Sequence, residues 1–329
     1  MSRNNDDEMP HSAERGTLNK NFAFTLIELL VVIAIIGILS ALIIVGMNST
    51  TQKATIAKSQ VFANSLRNSL MSNLVSEWKF DNVSGTVGQP LVADAPIPDT
   101  WGTNNGAAKS GPTLKNGTDC INGQCLSFDG TDDYVQIDGS NVSTSNLAIT
   151  GAITLSVWVK FNDAGTHAAI TGRGRAFAGN GDNGYFITRY GGDNKIYFDT
   201  YSATTRDQFW SSSAITATGW HFVVATWNGT INTNGKKIYI DGVLDNQGTS
   251  VISIIGQPNY YFRTGKESNG YYPLNGLIDD VRIYNAAMPT SQIQQNYFTG
   301  LNKLFAKNII TQQDYNNRFT ELSTNYAKQ

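Results

Sequence analysis

The chain has 329 residues and a formal net charge of −2, from 24 basic and 26 acidic side chains. That imbalance lies wholly in residues 1–23 and Glu28, and the remainder is charge-balanced, so no basic footprint for nucleic acid is expected. Two cysteines alone are too few for a zinc site, while 31 glycines among many Asn, Ser and Thr point to turns joining short strands.

Residues 1–23 are polar, and Phe24 to Met47 form an apolar run with one acid, Glu28, near its mouth. From Leu29 the 19 residues to Met47 carry no charge, close to the roughly 20 that a helix needs to cross a bilayer. A secretory signal would be cleaved after its apolar stretch; here the polar part comes first, so the apolar helix is expected to be retained. An acid inside a membrane span costs roughly 2.5–3.5 kcal/mol at mid-depth and is usually paired. Cleavage before Phe24 would create the partner, an α-amino group protonated at neutral pH and spaced i, i+4 from Glu28. Lys and Arg flank the span on both sides and do not set its orientation. Beyond it, Asn48 to Leu74 lacks Gly and Pro, and Phe62, Leu66, Leu70 and Leu74 recur every four residues. This predicts an amphipathic helix continuing the span over 24–74.

Phe24-Thr25-Leu26-Ile27-Glu28-Leu29 resembles the class III signal of type IV prepilins and type II secretion pseudopilins. The resemblance implies cleavage between Ala23 and Phe24 by a prepilin peptidase on the cytoplasmic face, methylation of Phe24, and pairing of Glu28 with the amine of a neighbouring pilin subunit. It further implies a single-pass protein, N-terminus inside, held in cytoplasmic membrane lipid before assembly and then carried in an extracellular filament. Ala23 stands where the family mostly has Gly, and Val45 where many major pilins have Pro, which favours a minor pilin or a pseudopilin over a principal subunit.

From Ser76 the apolar period becomes two, the period of a strand. Strands are predicted at 76–80, 126–129, 133–137, 153–159, 185–187, 195–198, 220–227, 237–240 and 278–284, separated by Gly, Asn and Asp clusters. No helical pattern intervenes, which indicates an antiparallel two-sheet sandwich. Cys120 and Cys125 flank Asn122-Gly123, a tight-turn signal, and a disulfide is expected outside the cytoplasm. LSFDGTDDYVQI, ITLSVWVKF, GWHFVVATWNG, KKIYIDGVL and GLIDDVRIYNAAM, in this order, resemble the laminin G-like jelly roll of the concanavalin A-like lectin and glucanase superfamily. The resemblance covers residues 75–297.

Residues 298–329 complete a short helical hairpin that begins after Pro289. Thr290 or Ser291 is expected to cap its first helix, and Thr311 with Asp314 its second; Tyr315, Phe319, Leu322 and Tyr326 share a face. The fold class is therefore α+β, with a long N-terminal membrane-spanning helix, an antiparallel sandwich and a C-terminal hairpin. The boundaries fall at 1–23, 24–74, 75–297 and 298–329.

The E-x-D-x-E strand of the superfamily's glycosidases is absent, and Glu77, Glu267 and Glu321 have no such spacing, so catalysis is not expected. His167 and His221 have no cysteine or histidine cluster around them. Aromatic side chains in loop-rich stretches, Trp101, Tyr190, Trp210, Tyr260, Tyr261, Tyr271 and Tyr272, are the candidate surface for an extracellular glycan or protein. Calcium favours carboxylate and carbonyl oxygens; Asp129, Asp132, Asp133, Asp279 and Asp280 are candidate ligands, adjacent in the fold the chain resembles. The sequence supports a filament subunit presenting an adhesive lectin-like domain. The alternatives are a pseudopilin for protein export and an anchored carbohydrate-active enzyme.

Overall fold

The computed structural model describes residues 72–137, 139–174, 184–216, 219–231, 234–253, 255 and 260–326. The predicted span, its cleavage site and the amphipathic segment as far as residue 71 lie outside them; Leu74, expected to close that helix, instead opens the first strand, where it pairs with Tyr284. Among the described residues no helix is long and apolar enough to cross a membrane.

The strands are β1 (Leu74–Trp78), β2 (Pro96–Ile97), β3 (Gly106–Lys109), β4 (Thr113–Asn116), β5 (Gln124–Asp129), β6 (Tyr134–Ile137), β7 (Ile153–Phe161) and β8 (Ala168–Arg173). They continue as β9 (Gly184–Arg189), β10 (Lys195–Tyr201), β11 (Arg206–Ala214), β12 (His221–Trp227), β13 (Lys236–Ile240), β14 (Val243–Gly248), β15 (Phe262–Thr264) and β16 (Asn275–Tyr284). Helices α1 (Thr290–Ala306) and α2 (Gln312–Tyr326) follow. The first sheet has the order β14-β13-β12-β7-β16-β5-β4, with β1 also on β16, and the second β11-β10-β9-β8-β15-β6-β3-β2. Among the described residues every strand pairing is antiparallel.

Period-two alternation divides each central strand between two environments. On β7, Ile153, Leu155, Val157, Val159 and Phe161 enter the core between the sheets, joined by Trp78, Phe80, Phe128, Phe198 and Phe262. Trp158 on the same strand faces the other way, into a second core that the first sheet shares with the helices. There it stacks on Tyr297 of α1 with centroids 5.7 Å apart, and Ile293, Leu301, Leu304 and Leu322 fill the remainder. Each such side chain contributes roughly 1.5–3 kcal/mol on burial. Gly300 permits the approach of α1, since a Cβ there would lie 2.2 Å from Cζ2 of Trp158.

β1 is clasped on both edges. One edge pairs with β16. Along the other, the Glu77 amide donates to Asp99 Oδ1 (3.0 Å), Trp101 Nε1 to the Leu74 carbonyl (2.9 Å) and Trp78 Nε1 to the Asn104 carbonyl (2.9 Å). Cys120 and Cys125 form the expected disulfide, with Cα atoms 5.4 Å apart. Its turn is pinned by Asp81, which accepts from Asn122 Nδ2 (2.9 Å) and the Gln124 amide (3.0 Å).

The helical hairpin differs from expectation in two details. Neither Thr290 nor Ser291 caps α1: Pro289 holds the cap position without a side-chain bond, and the Thr290 hydroxyl instead bonds the Tyr239 hydroxyl at 2.9 Å. α1 also runs through the expected 297/298 boundary, because Ile293, Tyr297, Leu301 and Leu304 form one stripe on the sheet. For α2 the reciprocal cap is present: the Asp314 amide donates to Thr311 Oγ1 (3.1 Å) and the Thr311 amide to Asp314 Oδ2 (3.3 Å).

Candidate functional site: an aromatic ladder on the second sheet

The outer face of the second sheet carries a row of rings that no helix of the described chain covers. β11, β10, β9 and β8 lie side by side, and the row crosses them. Trp210 on β11 is directly opposite Tyr197 on β10 in the ladder register, and their rings stack at 5.8 Å. Tyr190, just past β9, lies 5.3 Å from Tyr197. His167, just before β8, meets Tyr190 edge-on at 4.3 Å and Tyr272 at 5.1 Å. Tyr271 ends the row, 6.2 Å from Tyr272. Both ends face solvent, with Trp210 45% and Tyr271 62% exposed.

Local sequence explains each placement. In Ile196-Tyr197-Phe198 the inward residues are Ile196 and Phe198, which sends Tyr197 outward. Gly191 and Gly192 follow Tyr190 where side chains would collide: a Cβ on Gly191 would lie 2.5 Å from the Gly165 carbonyl, and one on Gly192 2.7 Å from the Tyr190 ring. Tyr272 has φ of 56°, a left-handed conformation uncommon for a bulky residue. The Ala169 amide fixes it by donating to its carbonyl (2.8 Å), and its ring packs on the buried Phe186 and Ala169.

The row is electrically quiet. The Tyr197 hydroxyl donates to Asp193 Oδ2 at 3.0 Å; burial and that carboxylate push its pKa up to about 12, so the phenol keeps its proton. Burial, with Glu267 nearby, also raises Tyr272. Burial lowers His167 below the usual imidazole value against the opposing pull of Asp193, and its Nδ1 accepts from the Gly191 amide at 3.4 Å. The nearby Asp199 is committed to Arg206 at 3.1 Å. A surface of neutral rings with polar edges suits a flat ligand that offers C–H faces and hydroxyls.

Of the aromatic residues singled out from sequence, the structure brings Tyr190, Trp210, Tyr271 and Tyr272 into this row. Tyr260 and Tyr261 precede β15, where their carbonyls accept from Arg173 Nε and the Ser268 hydroxyl. Trp101 belongs to the β1 clasp, on the first sheet. Sequence reasoning missed Tyr197 and His167. For Tyr197 the signal was its position between two inward residues; for His167 no local pattern exists, because its ring neighbours Tyr190 and Tyr272 come from two loops far apart in sequence.

The candidate calcium ligands fall into two groups. Asp129, Asp132 and Asp133, in the turn between β5 and β6, place one carboxylate oxygen each within 4.8 Å of the others. Their hard oxygen chemistry fits calcium, although the amides of Thr131 and Asp129 already donate to Asp129 Oδ1 (2.7 Å) and Asp133 Oδ2 (3.1 Å). Asp133 is buried, and burial, reinforced by the charges of Asp129 and Asp132, pushes its pKa up to about 6. Asp279 and Asp280 lie further along β16, whose residue paired with Asp129 is Asn275. At roughly 3.4 Å per residue the two groups cannot share one ion. Asp279 is fully buried, accepts from the Asn122 amide at 3.1 Å, and burial next to Asp280 drives its pKa well above the usual carboxylate value.

A two-sheet antiparallel jelly roll with a ring-lined outer face defines a lectin-type β-sandwich. Residues 129–294 match the model of the concanavalin A-like lectin/glucanases superfamily, and residues 18–44 match the prokaryotic N-terminal methylation motif. The chain belongs to that superfamily and carries a prepilin-type N-terminal motif, a combination that fits a pilin or pseudopilin with a lectin-like domain. No curated protein sequence matches the chain. Among solved structures it is similar to the binding domain of Paraclostridial Mosquitocidal Protein 1, at 16% identity and TM-score 0.50, over 71% of this chain and 53% of that one. It is also similar to domain 4 of AbnA, a GH43 extracellular arabinanase from Geobacillus stearothermophilus, in complex with arabinotriose, at 21% identity and TM-score 0.47, over 68% and 97%. A third is Trypanosoma rangeli sialidase, at 16% identity and TM-score 0.47, over 69% of this chain and 32% of that one. At these identities the likeness is one of fold alone.

Proposed function

We propose that the protein is a type IV pilin-like filament subunit, most simply a minor pilin, that presents its jelly roll at the cell surface and binds an extended glycan along the aromatic ladder. The observation that carries this reading is the joining, in one chain, of the prepilin-type motif at 18–44 to a sandwich with a row of rings that no described helix covers. A prepilin peptidase would cut between Ala23 and Phe24 and methylate Phe24. Glu28 would then pair with the amine of a neighbouring subunit as the helix leaves cytoplasmic membrane lipid for the filament. The ladder binds without catalysis, its nearest carboxylates being tied to Tyr197 and Arg206. Calcium, where it takes part, enters at Asp129, Asp132 and Asp133; calorimetry of the wild-type chain and Asp133→Asn with calcium chloride tests this.

Two experiments test the whole. Mass spectrometry of the protein from sheared filaments should find N-methylated Phe24 at the terminus, and Glu28→Val should insert in the membrane yet be missing from those filaments. Retention of residues 1–23 would refute the filament role. The full chain in detergent, applied to a polysaccharide array with and without calcium, should be retained by at least one polymer and lose retention in Tyr197→Ala with Trp210→Ala. The second reading, a pseudopilin of a type II secretion machine, is equally compatible with Val45 in place of Pro; it predicts recovery from the envelope, with sheared surface material empty.

A further inference from the structure

Lys236, on β13, is a lysine with no exposed surface. Alternation along β13 puts it on the same face as the core residue Ile238, so its side chain runs from the first sheet toward the second. There its Nζ lies 3.3 Å from Oδ2 of Asp207, near the start of β11, and donates to the Asp207 main-chain carbonyl. The ring of Phe198, on the neighbouring strand β10, has its centroid 5.2 Å from the same nitrogen. Asp207 is itself buried. Desolvating both partners of such a pair offsets most of their attraction, and condensation to a neutral amide removes both charges.

Two donors converge on one oxygen of that carboxylate. The Ser250 hydroxyl donates to Asp207 Oδ2 at 2.7 Å and the Val251 amide at 3.2 Å, and Ser250 is fully buried. Donors fixed on an oxygen that gains negative charge stabilise a tetrahedral adduct at the carbon bearing it. Burial lowers the pKa of Lys236 to about 8, against the attraction of Asp207 and Asp199, so part of the amine is neutral and nucleophilic at neutral pH. The nucleophile is held against the carboxylate by the fold, which removes the entropic cost of bringing the two together.

We propose that Lys236 and Asp207 condense into an isopeptide bond that ties the first sheet covalently to the second. The Lys236 ammonium passes one proton to the Asp207 carboxylate, on Oδ1, and the freed lone pair of Nζ forms a bond to Cγ. Negative charge gathers on Oδ2, where Ser250 and Val251 donate. A second proton moves from Nζ to Oδ1, the Cγ–Oδ1 bond breaks, and water leaves. The amide nitrogen keeps one hydrogen, and no oxidant, reductant or further reactant enters. The two residues are 29 positions apart, so the bond closes a ring containing β12 and most of β11, the edge strand that carries Trp210.

The test is tryptic peptide mapping by mass spectrometry of the full chain, purified in detergent and then denatured. No Lys or Arg lies between Asp207 and Lys236, so both ends of the bond fall in one peptide. That peptide should run from Asp207 through Lys237, because a condensed Lys236 is not cut, and should be lighter than its sequence by one water. It should also give no fragments from single backbone breaks between Asp207 and Lys236, since both halves stay joined. Lys236→Met should return the same peptide at full mass; if that variant fails to fold, the wild-type peptide decides alone. A main species at full mass in the wild type overturns the inference. So does loss of water with the interior fragments present, which marks a succinimide at Asp207, or loss of water that persists in Lys236→Met.

Discussion

The two sheets both turn large rings outward, and the chain treats them in opposite ways. On the first sheet Trp158, Phe222 and Tyr239 are sealed under α1 and α2, and Tyr297 answers Trp158 as a fitted partner. On the second sheet Trp210, Tyr197, Tyr190 and Tyr272 stand in a comparable row, and Trp210 and Tyr271 remain open to solvent. Outward aromatics are thus core where the described chain supplies a cover and open surface where it does not. An outward ring on a strand is uninformative until the fate of the opposite layer is known.

The largest expected effect tests the sealed face. Tyr297→Ala should lower stability by about 3–5 kcal/mol, as truncation of a buried aromatic does, in urea unfolding followed by tryptophan fluorescence. Gly300→Val should cost about 1–3 kcal/mol by forcing a side chain against Trp158. On the open face Trp210→Ala should change stability by no more than about 0.5 kcal/mol while weakening polysaccharide binding by roughly 1 kcal/mol per ring removed. A stability loss equal to that of Tyr297→Ala would dissolve the contrast between the faces. Thr311→Ala, which removes the cap of α2, should cost about 1 kcal/mol.

The smallest effect concerns acidity within the ladder. Because burial depresses the folded-state pKa of His167, the neutral ring is the form the fold prefers. Its stabilising contribution is complete above the unfolded value near 6.5 and is lost as pH falls through the lower folded value. An NMR titration of His167 should therefore show protonation below that value, and His167→Phe should flatten the accompanying acid-side loss of stability. A titration midpoint above 6.5 would contradict the neutral character assigned to the row.

What was legible in the sequence follows the same division. The central strands of the first sheet, β7, β12 and β16, are long and apolar on alternate residues, and their period announces them. β8 reads Ala-Ala-Ile-Thr-Gly-Arg, β11 carries Ser-Ser-Ser, and β14 is Val-Leu-Asp-Asn-Gln-Gly; these were missed because small or polar side chains give no period. β11 and β14 are also edge strands, where one neighbour suffices and apolar content is low. The disulfide and the α2 cap were readable because both are local in sequence. Only part of the ladder was visible, since ring chemistry flags Tyr190, Trp210, Tyr271 and Tyr272 but no linear pattern joins them to Tyr197 and His167. The grouping of Asp279 with Asp129 failed for a related reason: both strands were correctly anticipated, but the register that separates the acids is a property of pairing.

The doubly clasped first strand has a mechanical consequence. Tension arriving along the backbone at residue 72 is delivered to β1, which is bonded on one side to β16 and on the other to the 99–104 loop through Asp99, Trp101 and Asn104. A pull must rupture both seams to peel β1 away from the sandwich. The domain is therefore fastened at its entry point like a strap sewn along both borders.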